Sequence, residues 1–211
     1  MARAVVFDLG GVLIDWNPRH LYRKLLPDDA SIEEFLAEVC TSEWNYQQDA
    51  GRTVAEAVGE LSGRHPDKAP LIAAYYERWE EMLGGAIEAS VALLEELDAA
   101  GVPLYALTNW SRETFPIARR RFPFLARFRG VVVSGEERAA KPDPRIYRIL
   151  LERYRLQPAA CLFVDDVGKN VEGARAAGME GVLFTSPAQL RRELGARSIL
   201  AGAPAAPVIK L

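Results

Sequence analysis

Cysteine and histidine are scarce in this chain, and their scarcity removes several kinds of chemistry at once. The two cysteines, Cys40 and Cys161, stand far apart and neither belongs to a CxxC pair. That pattern supports neither a disulfide framework nor a zinc site, so both thiols are expected to be reduced and packed. Only His20 and His65 are available to serve a histidine-dependent triad. An excess of one charge is missing as well: 26 basic residues face 29 acidic ones, for a formal net charge of -3. Nucleic acid and anionic membranes select for clustered lysine and arginine, and the one basic run, Arg119 to Arg121, reads as a solvated helix face. No apolar stretch approaches the ~18 residues of a membrane span, and the residues after Met1 lack the order of a signal peptide. The expected setting is cytoplasmic, with no nucleic-acid or membrane partner. Two further signatures fail. Gly168-Lys169 lacks the earlier glycine and the following Ser or Thr of a P-loop, and Ser134 has no glycine two positions to either side, as GxSxG requires.

What is present is 211 residues, 49% of them hydrophobic, enough to bury a full core as one domain or as a core with a modest insertion. Residues 4–9 form a short apolar run ending in Asp8 and Gly10-Gly11, the pattern of a buried strand stopped by a turn. From about Trp16 to Leu83 no strand-like run occurs. Helical periodicity prevails there, with capping-box signals at Ser31-Ile-Glu-Glu34 and Thr53-Val-Ala-Glu56. After Gly84-Gly85 helices and strands alternate: a helix with Val91, Leu93, Leu94 and Leu97 on one face and Gly101 after it, a strand at 104–107, a helix near 112–122, and a strand at 130–133. A helix introduced by Asp143-Pro144 follows, then a strand at 161–164, a helix at 170–177, a strand at 182–184 and a last helix opened by Ser186-Pro187-Ala188-Gln189. Such alternation implies an α/β fold, a Rossmann-like doubly wound parallel sheet, with a small all-helical cap inserted after the first strand. The expected division is a core of 1–15 and 84–200, a cap of 16–83 and a peripheral C-terminal extension of 201–211. No glycine lies in the linker into the cap, so Gly84-Gly85 is the better hinge candidate.

In an open parallel sheet, ligands bind outside the carboxyl ends of the strands, where the winding direction reverses. Asp8 ends the first strand, Thr108 and Asn109 the second, and Asp165 with Asp166 the fourth, while Lys141 lies in the loop after the third. Three carboxylates brought together must take up protons or bind a cation, and a hard oxygen site suits magnesium. With Lys141 adding positive charge and Thr108 donating to a phosphoryl oxygen, the set meets the needs of phosphoryl transfer to an in-line carboxylate.

Phe7-Asp8-Leu9-Gly10-Gly11-Val12-Leu13, Leu107-Thr108-Asn109, Lys141-Pro142 and Phe163-Val164-Asp165-Asp166 together resemble the four ordered motifs of the haloacid dehalogenase-like hydrolase superfamily. The resemblance covers nearly the whole chain, and the family's helical cap falls between the first two motifs, where the helical insertion lies here. It implies Asp8 as nucleophile, Thr108 as a phosphoryl ligand and Lys141 as charge stabiliser. It further implies Asp165 and Asp166 as the metal-binding acidic pair, Asp8 and the Gly10 carbonyl as further metal ligands, and Mg2+ as cofactor. The expected partner is a small phosphate ester, turned over through an aspartyl-phosphate by a monomer or homodimer.

One departure matters. Phosphatases of this family usually carry a second Asp two residues after the nucleophile as general acid and base, and here that residue is Gly10. A missing general acid costs ~10² to 10⁴ in rate, so another group substitutes or the leaving group must be good. Sugar 1-phosphates leave through an acidic anomeric oxygen, and the DLGGVL form resembles a branch that includes sugar-1-phosphate phosphatases, so such a substrate is expected. Two alternatives stand beside this one: a metal-independent 2-haloacid dehalogenase, against which the acidic pair argues, and a non-catalytic phospho-ligand binder. A mutase would need the absent acid and base.

Several residues have bland readings beside the functional ones. Asp165 and Asp166 could cap the following helix, whose N-terminus favours negative charge by ~0.3 to 1 kcal/mol, and spacing does not say which of them would bind metal directly. Asn109 either contacts Asp8 or phosphate or shapes the turn, and Asn170 either completes the acidic network or faces solvent. Trp110 either lines the pocket or packs, while Trp16, Trp44, Tyr46 and Trp79 read as cap core. In the polar stretch 45–52, Arg52 is the expected substrate contact, with a solvated turn as its alternative.

Overall fold

Seven strands follow one another along the described chain: β1 (Ala4–Phe7), β2 (Ile14–Trp16), β3 (Leu83–Ala86), β4 (Leu104–Thr108), β5 (Gly130–Val133), β6 (Cys161–Asp165) and β7 (Glu180–Leu183). In the computed structural model, which describes residues 4–200, five of them form a parallel sheet in the order β5-β4-β1-β6-β7. β1 is central, and its unbroken Ala-Val-Val-Phe run is buried throughout, as a strand covered on both faces requires. The chain winds outward from β1 through β4 to β5, then crosses back to β6 and continues to β7 on the other side. The winding therefore reverses beside β1, and the crevice at the carboxyl ends of β1, β4 and β6 is the place for a ligand. The expected 201–211 extension lies outside the described residues.

Between β2 and β3 lie the helices α1 (Arg19–Tyr22), α2 (Asp29–Glu38), α3 (Ser42–Asp49), α4 (Val54–Arg64) and α5 (Ala69–Glu77). The insertion is helical as expected, but β2 and β3 pair antiparallel at its base, Ile14 opposite Ala86 and Trp16 opposite Leu83, straddling the expected boundaries. Gly84-Gly85, the hinge candidate, sits inside this pair. A Cβ at Gly84 would fall 2.0 Å from Asp15 Oδ2, so the strand needs a glycine to approach the Asp15–His20 contact. One cap differs too. α2 begins on Asp28, whose carboxylate accepts from the Ser31 N–H at 2.8 Å, so Ser31 lies in the first turn and not at the cap, because an equally good capping residue precedes it. The Thr53–Glu56 capping box at α4 is formed in both directions.

The remaining helices are α6 (Glu88–Ala99), α7 (Phe115–Arg121), α8 (Ser134–Glu137), α9 (Pro144–Arg153), α10 (Gly168–Ala176) and α11 (Pro187–Ala196). Asp143 caps α9 and Ser186 caps α11, each with proline in the first turn. Alternate residues of β1 serve two apolar layers. Ala4 and Val6 pack with Ile146, Tyr147 and Leu150 of α9 and Ala174 of α10. Val5 and Phe7 belong to the larger layer, which holds Leu93, Leu94 and Leu97 of α6 and runs on without a break into Ile32, Phe35, Tyr75 and Trp79 of the insertion. No described helix is long and apolar enough to cross a membrane.

Candidate active site

Backbone pairing delivers the reactive side chains to one edge. Asp8 leaves β1 with its N–H donating to Val164 O at 2.8 Å, which fixes it beside the end of β6. Its Oδ1 accepts from the Leu9 N–H at 2.7 Å and lies 3.0 Å from Lys141 Nζ. The Lys141 ammonium, fully buried, also donates to Asp165 Oδ2 at 2.6 Å. Asp165 in turn accepts from the Val167 N–H at 2.8 Å and from Asn170 Nδ2 at 3.0 and 3.2 Å. Asn170 thus completes the acidic network and does not face solvent. Burial lowers the proton affinity of Lys141, but Asp8 and Asp165 outweigh it and the net displacement is upward, so the ammonium stays charged.

Asp8, Asp165 and Asp166 present carboxylate oxygens that all lie within 4.8 Å of one another. Burial pushes the Asp8 carboxyl up to about 8, Lys141 opposes, and Asp165 and Asp166 add to the rise. Asp166 reaches the cleft, and it too is raised, by partial desolvation and by Asp165. Three acids against one lysine leave an excess of negative charge on hard oxygen donors, and a divalent cation such as magnesium fits that donor set. Gly11 belongs to the same design: φ is +73° there, and a Cβ would meet Asp166 Oδ2 at 2.2 Å, so glycine admits the carboxylate.

Thr108, at the end of β4, is buried, and its Oγ1 has no hydrogen-bond partner within the protein. Asn109, expected to contact substrate, lines the clefts beside Asp8 and also holds the lysine loop. Its Oδ1 accepts from the Lys141 N–H at 2.8 Å and its Nδ2 donates to the Lys141 carbonyl at 2.9 Å, so both ends of the amide hold the lysine loop. Trp110 lines a cavity as well as packing, its ring 5.3 Å from that of Trp79, with Nε1 donating to Thr114 Oγ1 at 3.1 Å. Arg52 is not brought to the site. It pairs with Glu60 and donates to Gln47 Oε1 at 3.0 Å in a separate cleft of the insertion, where a nearby carboxylate satisfies its charge.

The polar stretch 45–52 contributes another residue instead. Asp49, the last residue of α3, lines a cavity of about 380 Å³, mouth included, together with Gly10, Trp16, Asn45, Tyr76, Trp79, Asn109, Trp110, Ser111 and Thr114. The same residue lines the adjoining cleft that contains Asp8 and Asp166. Asn45 Nδ2 donates to it at 3.0 Å and is itself held by Tyr76, whose OH donates to Asn45 Oδ1 at 3.1 Å. Desolvation raises the Asp49 carboxyl to about 7, against the opposing influence of the Ser111 main chain and Lys141. Charge complementarity to phosphate points to the arginine of this stretch and away from an acid, so sequence reasoning does not single out Asp49. Trp16 and Trp79, read from the sequence as core, also border this cavity.

The haloacid dehalogenase-like hydrolase model matches residues 2–178. The chain belongs to this family. This haloacid dehalogenase-like hydrolase is 27% identical to the sesquiterpene phosphatase astK of Aspergillus oryzae, over 87% of this chain and 90% of that protein. Two other curated relatives are longer, and the chain spans 19% and 36% of their lengths. Among solved structures, a family enzyme of Bacteroides thetaiotaomicron in complex with magnesium and inorganic phosphate superposes with a TM-score of 0.66 at 23% identity, covering 88% of this chain and 95% of that one. The L-2-haloacid dehalogenase of Xanthobacter autotrophicus, with chloropropionic acid covalently bound, superposes with a TM-score of 0.63 at 22% identity, covering 97% and 85%. Both likenesses are of fold, so the choice between phosphorus and carbon as the atom attacked rests on the residues of the site.

Proposed function

We propose that this hydrolase is a magnesium-dependent phosphatase of small organic phosphates, acting through an aspartyl-phosphate on Asp8. The observation that carries the reading is the trio Asp8, Asp165 and Asp166 around a single buried Lys141. A carboxylate nucleophile for a haloacid has no use for two further acids beside it. They hold its proton on and repel a carboxylate substrate, whereas with a cation they help to bind a phosphoryl group.

The ion would be held by Asp8, the Gly10 carbonyl and Asp166, with Asp165 occupied in orienting Lys141. Bound there, magnesium supplies positive charge that neutralises phosphoryl oxygens and favours the ionised form of Asp8. The protein's own part is explicit. Thr108 Oγ1 donates to a phosphoryl oxygen, Lys141 balances the charge on Asp8 and the phosphoryl group, Asn109 keeps the Lys141 peptide in place, and Asp8 displaces the alcohol in line.

The alcohol part of the ester lies in the cavity above Gly10. Sugar 1-phosphates follow from the leaving-group argument, and a sugar's apolar face can stack on Trp16 or Trp110. The walls also admit a second class: Trp16, Tyr76, Trp79 and Trp110 present four aromatic side chains, and Asn45 and Thr114 already have partners within the protein. An apolar alcohol suits these surfaces, and the astK relative is named a sesquiterpene phosphatase. We read the chain as a cytoplasmic protein, monomer or homodimer, with Cys40 and Cys161 both buried.

Phosphate release from glucose 1-phosphate, glucose 6-phosphate, farnesyl phosphate and an aryl phosphate, with magnesium or with chelator, tests the reading. Turnover is expected only with magnesium and is expected to vanish in Asp8→Asn. No phosphate from any ester would overturn it, and chloride release from 2-chloropropionate or simple binding of inorganic phosphate would then separate dehalogenase from binder.

A further inference from the structure

We infer that Asp49, brought from α3 of the helical insertion, is the proton donor and acceptor that the first motif lacks at Gly10. The inference rests on the phosphatase reading and adds to it the group that protonates the departing alcohol.

Three observations place Asp49 in that role. It borders both the cleft that holds Asp8 and the cavity that receives the alcohol, and Gly10 borders both as well. At Gly10 a Cβ would meet no atom within 4 Å, so the room that a side chain would fill is open to a group arriving from another element. The carboxylate is also held: Asn45 donates to it, Tyr76 fixes Asn45, and the Ser111 main chain faces it, a set of fixed partners that a merely solvated surface acid does not need. Desolvation then keeps a proton on the group to about pH 7, where it can still give it up. The titratable groups around it are Lys141 from the loop before α9, Tyr75 and Tyr76 of α5, and Tyr46 of its own helix, while Asp8, Glu43, Asp166 and Lys169 line the cleft it shares. Burial raises all three phenols and keeps them neutral, and the Lys141 ammonium favours ionisation of Asp49.

The step balances without an outside reagent. Asp8 forms a bond to phosphorus as the P–O bond to the alcohol breaks, and the Asp49 proton passes to the departing oxygen, releasing the alcohol. The Asp49 carboxylate then takes a proton from water as that water attacks the aspartyl-phosphate, which frees inorganic phosphate and restores both carboxyls. An ordinary alcohol thereby becomes an acceptable leaving group, and the restriction to acidic leaving groups implied by Gly10 is lifted.

Asp49→Asn preserves size and an acceptor oxygen and removes the proton. Phosphate release is measured from benzyl phosphate, whose alcohol needs a proton to leave, and from 2,4-dinitrophenyl phosphate, whose phenolate does not, both with magnesium. The variant is expected to lose ~10² to 10⁴ in kcat/KM on benzyl phosphate and less than about tenfold on the dinitrophenyl ester, which also shows that it is folded. The decline of benzyl phosphate turnover above about pH 7 in the parent is expected to be absent from the variant's residual activity. Adding Gly10→Asp to Asp49→Asn is expected to recover benzyl phosphate turnover by tenfold or more. Equal losses on the two esters would overturn the assignment and leave Asp49 a positioning residue. Parent turnover of the dinitrophenyl ester alone would overturn it while leaving the phosphatase reading intact, whereas no phosphate from either ester in the parent would overturn both.

Discussion

At the end of β6 two neighbouring carboxylates meet different surroundings. Asp165 is fully buried and spends its oxygens on Lys141, Val167 and Asn170, whereas Asp166 is exposed to the cleft. Adjacent strand-end residues diverge in this way because side chains alternate in direction, and spacing alone could not assign their roles. Asp49 shows the cost of holding an acid ready. Its carboxyl titrates near 3.8 when solvated and near 7 in the fold, so below the lower value both states are protonated and stability is unaffected. As pH rises between the two values the unfolded chain ionises and the folded one does not, which lowers stability until the loss is complete above about 7. Asp49→Asn removes that loss. It is expected to be more stable than the parent by roughly 1–3 kcal/mol at pH 8 and nearly equal to it at pH 4, measured by urea denaturation at both values. A variant equally or less stable at pH 8 would show that the acid is not desolvated.

The loop after β4 and the short helix α8 are fastened face to face. Ser134 Oγ accepts from the Trp110 N–H at 2.9 Å, and the Gly135 N–H donates to the Trp110 carbonyl at 3.1 Å. A Cβ on Gly135 would lie 2.5 Å from Arg112 N and 2.8 Å from Trp110 O, both main-chain atoms with little freedom to retreat. Gly135→Ala is therefore expected to cost about 1–3 kcal/mol of stability and to shift the Thr108–Trp110 segment enough to weaken phosphate binding. Urea denaturation checks the first and inorganic phosphate titration the second, and a neutral effect on both would contradict the close approach. In the sequence Ser134-Gly135 was legible only as a failed GxSxG. Its use, seating the loop that carries Asn109 and Trp110, depends on β4 and β5 being adjacent in the sheet.

Across the molecule, the helical insertion and the sheet share an apolar layer. Phe7 and Leu104 of the sheet and Ile32, Phe35, Tyr75 and Trp79 of the insertion belong to one continuous cluster. An insertion so joined should not melt alone. Calorimetry is expected to show a single transition with equal calorimetric and van't Hoff enthalpies, and two resolved transitions would mean that the insertion unfolds independently. The shared layer also explains how a residue of α3 can be held close enough to the nucleophile's cleft to act there.

Legible in the sequence were the alternating α/β core, the helical character of the insertion, the strand-end placement of Asp8, Thr108, Asp165 and Asp166, and the place of Lys141 in a loop after the third core strand. Those features follow from local periodicity, turn residues and motif order, which act over a few positions at a time. The packing of distant elements sets the rest: Asn109 holds the lysine loop, Arg52 is neutralised by Glu60 away from the site, Asn170 turns inward, and Asp49 lines a cavity that Gly10 also borders. Each of these depends on which partners and how little water surround a polar group, and both are set by elements far apart in the chain.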